Sequence, residues 1–86
     1  MTHPALVQAQ LIMDQKSEDY AATDHARSNY FPYGYYSYLH MLQLKVKRLD
    51  AVLLNDSKPN FESAADSALD LINYAAFLHA YIEAQE

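Results

Sequence analysis

The stretch from Glu62 to Ala76, ESAADSALDLINYAA, leaves room for essentially one regular conformation. Glu62, Asp66, Asp70 and Asn73 recur at steps of four, four and three residues, so a helix gathers them on one stripe. Ala65, Leu69, Ile72 and Ala76 fall on a neighbouring apolar stripe, widened by Leu71, Ala75 and Leu78, which predicts a helix covered on two sides. The small side chains of Ala64, Ala65, Ala68, Ala75 and Ala76 would let a second helix approach closely. Stacked carboxylates repel one another by roughly 0.2–0.5 kcal/mol per adjacent pair on an exposed helix. Something opposite must neutralise them: a divalent cation, or basic side chains of a neighbouring helix.

The rest of the chain reads as helical too. One glycine and three prolines in 86 residues leave little turn chemistry for a sheet, and Ala, Leu, Gln, Glu and Asp fill the periodic stretches, so the fold is expected to be all-α. Thr2 or His3 opens a short N-terminal helix with Pro4 in its first turn and Leu6, Ala9, Leu11, Ile12 and Met13 as its apolar face, ending between Lys16 and Tyr20. From Ala21 to Pro32 the periodicity fades into an irregular, tyrosine-rich connection, whose Tyr30, Phe31 and Tyr33 argue that it packs down. After Gly34, the run Tyr35, Tyr38, Leu39, Leu42, Val46, Leu49, Val52 and Leu53 keeps a helical period over about twenty residues. Asn55, Asp56, Ser57, Lys58 and Pro59 break it, and Asn60 caps the third helix. The second and third helices form a long antiparallel hairpin within a single helical domain, residues 1–86.

A domain this small buries only about 60 to 65 per cent of its unfolded surface. Cysteine is absent, which removes disulfides and thiolate metal sites, and oligomerisation is the remaining common remedy. A hydrophobic fraction of 51% with eight tyrosines leaves surface for such contacts, so a homo-oligomer is expected. The net charge of -5 speaks against duplex nucleic acid, which needs a basic face. With no apolar run long enough to span a membrane and no signal-peptide pattern, the chain is expected to be cytoplasmic.

The hairpin also sets a register. Pairing antiparallel helices that turn near Ser57 puts Arg48 beside Asp66, Lys45 beside Asp70, Val52 beside Glu62 and Met41 beside Asn73. Two readings fit this constellation. In one, Glu62, Asp66 and Asp70 hold Mg²⁺ while Lys45 and Arg48 grip the phosphate oxygens of a nucleotide and Asn73 orients ligand or metal. In the other, Arg48–Asp66 and Lys45–Asp70 are interhelical ion pairs that fix the hairpin's register.

Aromatic residues raise the same choice. Tyr30, Tyr33, Tyr35, Tyr36 and Tyr38 could offer rings for a base to stack on, or could roof the hairpin and fill a subunit interface, and Tyr74 beside Asn73 carries both readings. Lys16, Asp19 and Tyr20, followed by Asp24, Arg27 and Asn29, have the polar and aromatic character of a loop that closes over a site, and equally that of a solvated loop with local side-chain caps. His40 neighbours the basic face, whereas His3, His25 and His79 lie apart, so no zinc site is expected.

These residues resemble the nucleotide modification associated domain 1 family of small, phage-associated helical proteins. The resemblance runs through KSEDYA at Lys16 to Ala21, RSNYF at Arg27 to Phe31, KVKRL at Lys45 to Leu49 and ESAADSALDLINYA at Glu62 to Ala75. A more distant similarity is to MazG-like nucleotide pyrophosphohydrolases, whose paired acidic motifs bind Mg²⁺. The second helix here offers Lys45, Lys47 and Arg48 where such enzymes carry their first acidic motif, so one acidic helix per subunit is present.

The resemblance implies a phage or prophage protein of nucleotide metabolism or modification. It would bind a nucleotide or nucleotide-like phosphate ligand through Lys45, Arg48, Asn73 and Tyr74, with Glu62, Asp66 and Asp70 at Mg²⁺. An enzyme of this kind would be a nucleoside triphosphate pyrophosphohydrolase, with no catalytic residue assigned. The alternative is a non-catalytic helical oligomer that binds a host or phage protein through its tyrosine-rich surface.

Overall fold

The computed structural model describes residues 2–23, 31–54 and 60–85, with the stretch 17–23 described by its backbone alone. Three helices and no strand occur among them: α1 (Pro4–Thr23), α2 (Tyr35–Leu53) and α3 (Phe61–Glu83). The fold is all-α, as the composition requires. No described helix is long and apolar enough to cross a membrane.

The first helix is not short. α1 spans 20 residues and continues to Thr23, past its expected end between Lys16 and Tyr20. The physical reason is that no proline or glycine intervenes between Pro4 and Pro32, while Ala21 and Ala22 favour helix regardless of which face they occupy. Its start is as expected: the Nδ1 of His3 accepts a hydrogen bond from the Ala5 N–H at 3.0 Å, with Pro4 at the first position. The covered positions are Ala5, Ala9, Ile12 and Met13, at steps of four, three and one. Leu6 and Leu11, expected on the inner face, are exposed along with Val7.

Gly34 opens α2 with φ 59° and ψ -128°, a backbone region that only glycine enters readily. A side chain here would also collide, because the Tyr81 hydroxyl of α3 lies 2.7 Å from where a Cβ would sit. Along α2 the covered positions are Tyr38, Met41, Leu42, Lys45, Leu49 and Val52, a regular helical stripe. Leu39, Val46 and Leu53 of the expected pattern are exposed. α3 begins as predicted, with Asn60 Oδ1 accepting from the Ser63 N–H at 3.0 Å.

α3 packs against both other helices, most extensively against α2. Its buried positions are Ala64, Ser67, Leu69 and Asn73. Ala65, Ala68, Ala75 and Ala76 are exposed, so the expected stripe through Ala65 and Ala76 is displaced. Aromatic rings fill the end of the hairpin near Gly34. Phe31 stacks on Tyr38 at 4.4 Å and 10°, and Tyr35 meets Tyr81 edge-on at 4.9 Å. Phe31 thus packs down as its composition suggests, whereas Tyr33 remains exposed and Tyr30 lies outside the described residues.

The resulting core is lean. Among the described residues no large side chain is completely buried, and the accessible surface of 6568 Å² compares with about 5200 Å² for a compact monomer of this mass. The radius of gyration, 14.4 Å, likewise exceeds the roughly 12 Å of a compact chain this long.

Two expectations test these junctions. Gly34→Ala should lower stability by roughly 2 kcal/mol through backbone strain and the Tyr81 contact. In the Tyr81→Phe background that cost should shrink but not vanish, since only the steric part is relieved; chemical denaturation of the four proteins measures both terms.

Candidate functional site: a polar cleft and an aromatic cavity joined at Asp70

The hairpin register brings basic residues of α2 against the acidic stripe of α3. Lys45 Nζ lies 3.0 Å from Asp70 Oδ2, the pairing expected from the sequence, and both side chains are about three-quarters covered. Arg48 departs from expectation. Its guanidinium forms no ion pair with Asp66 and instead donates from Nη2 to Ser63 Oγ at 3.5 Å, one turn nearer the hairpin's connection. The difference is physical: Lys45 is half-buried and held at the interface, whereas Arg48 is exposed and its long stem carries the guanidinium to Ser63.

Lys45, Arg48, Glu62, Asp66 and Asp70 all line one open polar cleft of about 420 Å³, together with Asn60, Ser63 and the buried Ser67. Ser63 and Ser67 were not singled out by the sequence reading, although they lie four residues apart on the stripe that faces α2. Glu62 and Asp66 are exposed. Among the described residues, no group of three or more His, Asp or Glu side chains has the spacing to hold a metal ion.

Asp70 also lines a second, more enclosed cavity of about 190 Å³. Its walls are Met13 and Lys16 of α1, Phe31, Met41 of α2, and Asn73, Tyr74 and Phe77 of α3. Met41 and Asn73 share this cavity, in agreement with the expected pairing. Phe31, Tyr74 and Phe77 stand edge-on to one another, with centroids 6.0–6.2 Å apart and interplanar angles of 61–81°. Asn73 is 6% exposed, and its Oδ1 is buried with no hydrogen-bond partner among the described residues.

Phe77 escaped the sequence reading as a site residue, although its place one turn beyond Asn73 is a readable signal. Lys16 does reach the site, as its position suggests, while Asp24, Arg27 and Asn29 lie outside the described residues and the side chains of Asp19 and Tyr20 are not described. Of the tyrosines, Tyr38 is buried beneath Phe31 and Tyr35 packs on Tyr81, so both serve the hairpin's closure. Tyr33 and Tyr36 are exposed and, with Leu39 and His40, border a shallow groove of about 820 Å³ on the outer side of α2.

No family model matches this chain, and neither a curated protein nor a solved structure matches it.

The Lys45–Asp70 pair should contribute modestly to stability, because both groups keep contact with solvent. A double-mutant cycle of Lys45→Ala and Asp70→Ala should give a coupling of about 0.5–1 kcal/mol by urea unfolding, smaller in molar salt. A coupling indistinguishable from zero would remove the pair from the hairpin's register.

Proposed function

We propose that this chain binds a nucleotide or nucleotide-like phosphate ligand across the junction at Asp70. The observation that carries this reading is that one carboxylate lines both an aromatic cavity and a cleft bearing Lys45 and Arg48. A ligand with a flat ring at one end and phosphate oxygens at the other matches that pairing of surfaces, the ring excluded from water and the anion met by charge-assisted donors. Tyr74 and Asn73 contact the ring; Lys45 and Arg48 hold the phosphates. In this reading the resemblance to phage-associated nucleotide modification proteins supplies the biological setting.

Mg²⁺ fits as an ion delivered with the ligand. Magnesium commonly uses one or two carboxylates plus substrate phosphates and waters, a requirement that exposed Glu62 and Asp66, with Asp70 behind them, can meet without a three-residue cage. When bound, the cation would offset charge between phosphate and carboxylate. The chain's own residues bind and orient the ligand, and no nucleophile or general base is assigned to them.

A second reading rests on a different observation. The groove bordered by Tyr33, Tyr36, Leu39 and His40 carries no charged side chain, and the exposed surface exceeds that of a compact monomer. These features favour a helical oligomer that uses this face for a second copy or another protein, in line with the enrichment of aromatic residues at interfaces.

Thermal unfolding against ribo- and deoxyribonucleotides, with Mg²⁺ or with EDTA, tests the first reading. At a ligand concentration one hundred times Kd, the folded state should gain about 2.7 kcal/mol and the midpoint should rise. Lys45→Ala and Arg48→Ala should each reduce that rise, and a pyrophosphate-release assay on the same ligands reports any hydrolysis. No shift with any nucleotide at millimolar concentration would remove this reading. Sedimentation velocity tests the second: a particle of the 9.8 kDa chain mass at micromolar concentration would count against an oligomer.

A further inference from the structure

We propose that the aromatic cavity selects its guest through Asn73, whose carboxamide oxygen accepts an N–H from a planar heterocycle seated among Phe31, Tyr74 and Phe77. This rests on the nucleotide reading above and deepens it, by naming the part of the ligand that enters the cavity and the atom that reads it. Asn73 Oδ1 is buried and makes no hydrogen bond among the described residues. An acceptor left this way loses its water without compensation, so its retention in a lean core calls for a partner that arrives from outside.

The described walls do not supply that partner. Met13, Met41, Phe31 and Phe77 carry no donors, and neither Lys16 nor Tyr74 reaches the oxygen. The cavity of about 190 Å³ has the volume of roughly six waters at about 30 Å³ each, so a guest larger than one water fits beside Asn73 against walls that are mostly apolar. The three rings meet edge-on at 61–81°, so a flat guest in the cavity would lie against the face of one and meet the edge of another. The polar groups at its boundary, Lys16 and Asp70, mark where a substituent leaves, and Asp70 leads into the cleft of Lys45 and Arg48.

The ligand class follows: a one- or two-ring heterocycle with an N–H on the edge opposite its substituent. Removing that hydrogen from the guest leaves Asn73 unpaired again. An analogue lacking it should therefore bind at least tenfold more weakly at otherwise equal shape.

The test uses nucleosides, which carry no phosphate and so isolate the cavity from the cleft. The full chain is titrated by two-dimensional NMR with adenosine against purine riboside, cytidine against pyrimidin-2-one riboside, and uridine against N3-methyluridine. At least one parent nucleoside should bind tenfold or more tightly than its N–H-lacking counterpart and should shift the Asn73 side-chain amide resonance. In Asn73→Leu, which keeps the branching at Cγ and removes the acceptor, that ratio should fall to about one. The unliganded variant should melt higher than the wild type, an outcome a purely structural asparagine would reverse. Should Asn73→Leu fail to fold, Asn73→Asp retains an acceptor and should keep the preference.

Equal binding within every pair, a ratio that survives in Asn73→Leu, or no binding of any parent nucleoside at millimolar concentration would overturn the proposal. Equal pairs alongside nucleotide-dependent stabilisation would refute it while leaving the nucleotide reading intact. Discrimination between nucleosides with no added affinity from phosphate would do the reverse.

Discussion

The covering of α3 is the constraint on which the rest of the molecule depends. α3 has two neighbours to pack against, yet its buried residues are Ala64, Ser67, Leu69 and Asn73, two of them polar. Burial of this kind stabilises far less than a stripe of leucines would, since each large aliphatic side chain contributes roughly 1.5–3 kcal/mol when fully buried. Aromatic rings make up part of the shortfall. Phe31, Tyr35, Tyr38 and Tyr81 close the end of the hairpin around Gly34, where the missing Cβ admits the Tyr81 hydroxyl. The same economy leaves space near Asn73 that a better-filled core would have closed.

Electrostatics follow from the same geometry. The cleft gathers Lys45 and Arg48 with Glu62, Asp66 and Asp70, so its formal charge is negative by one despite two cations on its rim. Lys45 is already engaged with Asp70, and Arg48 leans toward Ser63. A phosphate approaching this surface meets donors that must be shared with carboxylates, and a counterion carried by the phosphate relieves that competition. Salt bridge and proposed ligand site would thus be two uses of one set of side chains, separated by little free energy because every member retains solvent contact.

What could be read from the chain was whatever depends on local geometry. The α2–α3 hairpin, the Asn60 cap and the Lys45–Asp70 pairing follow from a constant helical rise and a turn between two periodic runs. The facing of the alanines did not, because alanine favours helix on any face and so reports conformation without reporting direction; Ala65, Ala68, Ala75 and Ala76 all ended outside. The length of α1 was hidden for a related reason: the polar run from Lys16 to Asp19 neither breaks a helix nor marks a buried side. The aromatic cavity was legible only in fragments. Met13, Phe31, Met41 and Phe77 come from distant parts of the sequence, and nothing in their separate spacings says that they meet.

α1 supplies two walls of that cavity, Met13 and Lys16, while leaving Leu6, Val7 and Leu11 in solvent. The hairpin's contacts, by contrast, join segments adjacent in the chain, which is the arrangement that assembles fast. The molecule is therefore layered in its cohesion, with α1 docked on a hairpin that does not need it for its own aromatic closure. Loosening of α1 would remove two walls of the cavity beside Asn73 at once, a sub-global motion of the kind that falls on the microsecond-to-second scale.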